Sequence, residues 1–380
     1  MGLELRDWQV SAYKLIKDNS GVVVALTGSG KTILGVKLVL DNLSGKTLIV
    51  VPTIALMKQW RDSLIKFGVP ADSISLIGGG YKEYPDVVTV AVIDSLLNIN
   101  LNSSMAVFDH CILDEVHRYA SSGGVGFLRA LQCSHRVGLT ATFERPDGRH
   151  SLLESLVGPV VYRIDLGSDD GNRYVASYEV SNIPLRLSAS DQDDYNIQNT
   201  VFLNLLPKFG YSLDKVFKDY RRNADARKCH RSMVDRKSII TNGVEKREEV
   251  LAQLDEQRTI IFDESQDNAK LVYDMIKAKG YSVGLYHSGL GKRNNMDTIK
   301  RFKSGEYQIL VTVRALDEGL DVPNVSKAII VNGNSTKRQF FQRLGRVLRK
   351  SGDKQAELIN LFYDDTHEVG IIRKRMEYLK

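Results

Sequence analysis

The stretch "GVVVALTGSGKTILGVKLVL", residues 21–40, decides the fold. Its opening valines read as a short buried strand, and the apolar spacing of Ile33, Leu34, Val36, Leu38 and Val39 reads as one face of a helix. Between them, Gly28 and Gly30 allow a tight backbone turn, Lys31 can reach a terminal phosphate, and the Thr32 hydroxyl can ligate an accompanying magnesium ion. Thr27 and Ser29 complete the loop that would cradle a nucleotide. A strict GxxxxGK[ST] loop starts with glycine, whereas this chain has Ala25. A Gly-rich turn without a ligand is the plain alternative, and the strand and helix flanking the loop argue against it.

Working outward, 380 residues exceed what one ordinary core needs and suggest two domains of roughly 150 residues with something between them. The net charge of +6, from 52 basic and 46 acidic residues, permits a polyanionic partner without demonstrating one. Cys111, Cys133 and Cys229 are too few and too scattered for a disulfide scaffold or a four-ligand zinc site, so a reducing compartment is expected. With no secretory start and no apolar run of about 18 residues, a soluble, intracellular protein without a membrane partner is the expectation.

Apolar runs recur between helix-like segments from residue 20 to about 165. "KTLIVVPT", "VVTVAVIDS" and "MAVFDHCILDEVH" end in small or polar residues, as parallel strands do when they deliver functional side chains at their carboxyl ends. The pattern restarts near 258 with "RTIIFDES", "YSVGLYHS", "YQILVTV" and "VSKAIIVN", without a second Gly-rich loop. The expected division is therefore 1–165 as a first α/β domain, 166–244 as a linker and basic, mainly helical segment, and 245–380 as a second α/β domain. Within the middle segment, Arg221, Arg222, Arg227 and Lys228 stand among other basic residues as candidate phosphate contacts; a solvated helix surface has the same composition.

"CILDEVH" places Asp114 and Glu115 just after an apolar strand. Asp114 can hold magnesium through water, and Glu115 can accept a proton from water attacking a γ-phosphate. His117 can couple this segment to its neighbours or serve as a satisfied structural histidine. In "GLTATFERP", Thr140 and Thr142 can bond to the Asp114–Glu115 segment; ordinary turn caps look the same. Far along the chain, "VRALDEGLDVP" carries Gly319 and Asp321, and "QFFQRLGRVLR" puts Gln342, Arg346 and Arg349 on nearly one helical face. A guanidinium from there could stabilise a transferring phosphate if the second half closes over nucleotide held by the first.

Taken together, "TGSGKT", "VPTIALMKQW", "DEVH", "TAT", "DEGLDVP" and "QRLGRVLR" resemble the ordered motifs of superfamily 2 helicases, from about Leu5 to Leu361. The likeness is to the DEAH-like repair and transcription-factor branch of XPB/Rad25 type, shared in part with phage branch-migration helicases. It implies an α/β fold of two tandem RecA-like parallel-sheet domains with a small helical basic segment between them. It also implies ATP and Mg2+ as cofactors, and a DNA-stimulated ATPase that unwinds, migrates or remodels duplex or branched DNA in repair, recombination or replication, with accessory repair or replication proteins as further partners. On the same resemblance Gln9 in "LRDWQ" is the expected adenine contact with Arg6 in support, Arg349 is the expected arginine at the nucleotide interface, and Thr53, Ser288, Gly289 and Thr312 are candidate nucleic-acid contacts. An ATP-dependent RNA helicase and a nucleotide-gated DNA-binding module without catalysis are the alternatives.

Overall fold

The computed structural model describes residues 3–26, 28–83, 86–98, 107–145, 147–164, 178–313, 325–333 and 356–377. The first sheet contains β1 (Gly21–Val24), β2 (Thr47–Val51), β3 (Ile74–Gly78), β4 (Tyr81–Lys82), β5 (Val88–Val92), β6 (Val107–Asp114), β7 (Gln132–Thr140) and β8 (Val160–Arg163). Their order is β4-β3-β5-β2-β6-β7-β1-β8, parallel except for the β3–β4 hairpin. Both faces are covered, which is why these strands read as continuous apolar runs rather than alternations. In β2, Ile49 and Val51 enter one core with Met57, Trp60 and Leu64 from the helix Ile54–Lys66, while Leu48 and Val50 enter the opposite core with Phe127 and Leu128.

The second sheet contains β9 (Tyr178–Leu185), β10 (Thr259–Asp263), β11 (Val283–Tyr286), β12 (Ile309–Val313), β13 (Lys327–Ile330) and β14 (Ala356–Tyr363). It is wholly parallel in the order β11-β12-β10-β13-β14-β9. Two parallel-sheet RecA-like domains are thus present, as the periodicity and the resemblance implied.

The stretch 166–244 differs from its expectation in one respect. β9 lies inside it yet forms the edge of the second sheet, paired with β14 over eight residues. Its pattern hid it: the strand is only half-buried, and Pro184, which cannot donate to a ladder, is tolerated at an edge. The described residues that follow β9 in this stretch form the helices Ala189–Leu205, Leu213–Asp219 and Ala224–Asn242. Phe202, Leu205, Phe209, Val216, Ala226 and Cys229 give this segment its own small core. Leu187, Tyr195 and Ile240 tie it to Tyr363 of β14, so the helices are anchored to the second domain. Among the described residues no helix is long and apolar enough to cross a membrane.

Candidate nucleotide site and nucleic-acid contacts

The order of the first sheet assembles the site. β6, β7 and β1 are neighbours, so their carboxyl ends bring together the Asp114 segment, Thr140 and the loop that follows β1. Gly28 and Gly30 both have positive φ, at 83° and 105°, and Gly30 caps the helix Lys31–Asp41 in the left-handed region where a side chain would be strained. A Cβ on Gly30 would also fall 2.7 Å from Gln9 Nε2. Gln9 is buried and donates from Nε2 to the Gly30 carbonyl at 2.9 Å, while its Oε1 accepts from the Arg6 backbone N–H at 2.7 Å. The Arg6 guanidinium donates to the Ser29 carbonyl at 2.9 Å. The two residues expected near the adenine therefore brace the backbone of the phosphate loop.

Lys31 is buried and donates from Nζ to the carbonyls of Ala25 at 2.8 Å and Leu26 at 3.2 Å. The Ser29 hydroxyl is buried with no hydrogen-bond partner among the described residues. Thr32 opens the helix one residue beyond Lys31 and is half-buried. Thr27 lies outside the described residues.

Asp114 ends β6 and is buried. Its Oδ2 accepts from the Trp60 indole N–H at 2.8 Å, and its Oδ1 accepts from the Glu115 backbone N–H at 3.0 Å. Burial first, and the neighbouring Glu115 carboxylate second, push the Asp114 carboxyl up to about 6, against the opposing pull of the Trp60 hydrogen bond and the Lys31 charge. Glu115 adopts φ 52°, a left-handed conformation uncommon for a residue with a side chain. Its Oε2 is buried, accepts no hydrogen bond among the described residues, and lies 3.5 Å from His117 Nδ1.

His117 is buried, and its Nδ1 lies 2.8 Å from Thr140 Oγ1. The Thr140 hydroxyl proton goes to the Thr142 carbonyl at 2.8 Å, and the Thr142 N–H donates back at 3.2 Å. One hydroxyl has one proton to give, so His117 Nδ1 must be the donor to Thr140, which fixes its tautomer. Arg145 adds a bond from Nη1 to the His117 carbonyl at 2.9 Å. The three coupling candidates, His117, Thr140 and Thr142, thus form one connected chain beside Glu115.

Trp60 was not singled out by sequence reasoning although it lies inside a quoted motif. A buried tryptophan needs a partner for its N–H, and that requirement was the available signal. Its ring occupies the space over Gly35, where a Cβ would collide with Cη2. One side chain therefore packs on the helix that follows the phosphate loop and also holds the carboxylate of Asp114.

Gly319, Asp321, Gln342, Arg346 and Arg349 lie outside the described residues. Ser288 and Gly289 are exposed after β11, with Gln266 Nε2 donating to Ser288 Oγ at 3.3 Å. In the first half, the Thr53 hydroxyl caps the helix Ile54–Lys66 by accepting from Leu56 N at 3.3 Å. Thr312 is buried within β12, and its hydroxyl has no hydrogen-bond partner among the described residues. Arg221, Arg222, Arg227 and Lys228 are all exposed on the helical segment, and Arg227 Nη1 donates to the Arg221 carbonyl at 3.3 Å.

Comparison with known proteins identifies the family. The family described as "Type III restriction enzyme, res subunit" matches residues 2–145, and "Helicase conserved C-terminal domain" matches residues 244–351. The "DNA 3'-5' translocase XPB2" of Sulfurisphaera tokodaii is 33% identical over 385 residues, covering 99% of this chain and 85% of that protein. The "Putative DNA 3'-5' helicase Rad25" of Haloarcula marismortui is 27% identical over 99% of this chain, which spans only 55% of that relative's length. Among solved structures, the Pyrococcus furiosus Hef helicase domain superposes with a TM-score of 0.64 at 18% identity, covering 97% of both chains, a likeness of fold.

Proposed function

The chain belongs to the superfamily 2 helicases and translocases related to the XPB/Rad25-type repair helicases, and on that premise we propose that it couples ATP hydrolysis at the first sheet to movement along DNA. The observation that carries the reading is the convergence of Lys31, Asp114 and Glu115 at the carboxyl ends of β1 and β6, the two strands that flank β7. Hard oxygen donors from Thr32 and Asp114 suit magnesium, and the buried, unpartnered Ser29 hydroxyl marks a loop with bonding capacity to spare. Bound magnesium would neutralise charge on the β- and γ-phosphates.

In this reading Lys31 would leave the carbonyls of Ala25 and Leu26 for the γ-phosphate. Asp114, held by Trp60, would help hold magnesium with Thr32, and Glu115 would take the proton of the attacking water. Its strained backbone aims the carboxylate out of the strand, and the His117–Thr140–Thr142 chain links it to the next strand end. Gln9 and Arg6, which brace the loop, would read adenine from the same position. Arg346 and Arg349 would supply guanidinium to the transition state from the second domain, assisted by Gln342, with Gly319 and Asp321 at the same nucleotide interface. Thr53, Ser288 and Gly289 would touch phosphates along the strand, and Arg221, Arg222, Arg227 and Lys228 would do so from the helical segment.

DNA is proposed over RNA because the two relatives above are named for action on DNA, while a relative at 23% identity is named an ATP-dependent RNA helicase. Phosphate release measured with matched DNA and RNA oligonucleotides tests this. Stimulation by DNA at least tenfold above RNA is expected; equal or greater stimulation by RNA overturns the substrate, and no stimulation by either overturns the motor.

A further inference from the structure

The helical segment carries a second kind of surface besides its charge. Residues 206–232 contain eight lysines and arginines against three aspartates, a surplus of five in a chain whose whole net charge is +6. Within that positive field two aromatic rings stand in water: Phe217 is 49% exposed and Tyr220 is 41% exposed. Neither joins the segment's core, which takes Val216 from the same helix and leaves its neighbour outside. A spacing of three residues puts the two rings on one side of the chain.

His230 of the following helix holds them there. Its ring meets Phe217 edge-on at 5.6 Å between centroids and Tyr220 at 5.0 Å, with interplanar angles of 70° and 76°. The rings are therefore fixed from one side and open on the other. Around them Lys218, Arg221 and Arg222 are exposed and form no ion pair among the described residues. A surface meant only to grip duplex phosphates has no use for half-exposed rings, because duplex bases are already stacked on one another. Cations for phosphates interleaved with rings for bases is the composition that recognises an unpaired strand.

We propose that Phe217 and Tyr220, braced by His230, form a stacking surface for the bases of single-stranded DNA, with Lys218, Arg221 and Arg222 taking its phosphates. The proposal rests on the reading of the chain as a DNA motor and deepens it: a motor with this surface holds a strand that has left the duplex, and so separates strands as well as tracking along them.

The test uses the full chain, oligo-dT carrying 2-aminopurine, and a blunt duplex of equal length. Phe217→Ala/Tyr220→Ala should bind oligo-dT at least tenfold more weakly than wild type while its duplex affinity changes less than about threefold, and the quenching of 2-aminopurine should be lost. Phe217→Trp/Tyr220→Trp, which keeps stacking and changes volume, should retain both single-strand affinity and quenching. An alanine variant that binds oligo-dT like wild type overturns the proposal and leaves the rings as a site for another partner. Equal losses on oligo-dT and duplex also overturn it, since the rings would then be supporting the helices. Wild-type phosphate release stimulated by DNA is measured alongside, so failure of the motor reading is seen separately from failure of the stacking surface.

Discussion

Asp114 and Asp263 occupy corresponding places, each a buried carboxylate at the last residue of a central parallel strand, yet their surroundings are opposite. Asp263 is saturated. It accepts from the backbone N–H groups of Glu264 at 2.7 Å and Ser265 at 3.0 Å, from Asn268 Nδ2 at 2.7 Å, and from Asn332 Nδ2 at 3.3 Å to both oxygens. Asp114 accepts from Trp60 and the Glu115 N–H, beside a second carboxylate and a lysine that is bonded to carbonyls. Burial raises both carboxyls above their ordinary range, but at Asp263 the donors are there to stabilise the fold. A strand end with its bonding filled serves the fold, and the proposed nucleotide site draws on one with capacity left.

The sharpest way to break this comparison is to remove charge from the first strand end. Lys31→Ala should reduce ATP turnover by about a thousandfold or more, roughly 4 kcal/mol of transition-state stabilisation, because the terminal phosphate loses its close positive partner. Glu115→Gln should keep binding of a nonhydrolysable ATP analogue and lose at least about a hundredfold in hydrolysis, since the amide preserves shape without serving as a base. Both proteins should melt close to wild type. Turnover near wild type in either variant would remove that residue from the site.

The second sheet should answer in stability and not in chemistry. Lys246 is fully buried there and donates to Glu368 Oε1 at 2.8 Å and to Asn332 Oδ1 at 3.0 Å, which connects it to the donors of Asp263. Burial lowers the pKa of this ammonium group, and the Glu368 carboxylate opposes that shift. Lys246→Ala leaves Glu368 buried without its cation and should lower the unfolding free energy by about 3–5 kcal/mol in a urea titration. A loss below about 1 kcal/mol would show that water or a rearranged Glu368 fills the gap.

The two strand ends also differed in how far they could be read from sequence. Glycines, a lysine and paired acids at fixed spacing carry their chemistry in their identities, so Gly28, Gly30, Lys31, Asp114 and Glu115 could be placed before any geometry was known. The network of Lys246, Asp263, Asn332 and Glu368 unites residues up to 122 positions apart, and single polar residues at such separations have no local pattern. β9 escaped for a related reason: an edge strand half in water shows neither the continuous apolar run of the inner strands nor a clean alternation.

Trp60 offers the finest adjustment of the comparison, because among the described residues it is the side-chain donor that Asp114 has in place of the amide pair around Asp263. Trp60→Phe removes the N–H together with the Cη2 and Cζ3 end of the indole that lies over Gly35, so Asp114 Oδ2 loses its fixed partner and the packing on that helix loosens as well. A hydrogen bond to a charged acceptor contributes about 1.5–3 kcal/mol, part of which a ligand or water on the freed oxygen can restore. Turnover at saturating ATP should therefore fall about tenfold, near 1.4 kcal/mol, and the magnesium concentration for half-maximal activity should rise severalfold. Binding of the ATP analogue without magnesium should change little, since Lys31 and the loop are untouched. The split matters more than the size of the loss. If analogue binding falls as much as turnover, Trp60 is supporting the phosphate-loop helix, and if the magnesium titration is unchanged, the Glu115 N–H alone is enough to aim Asp114.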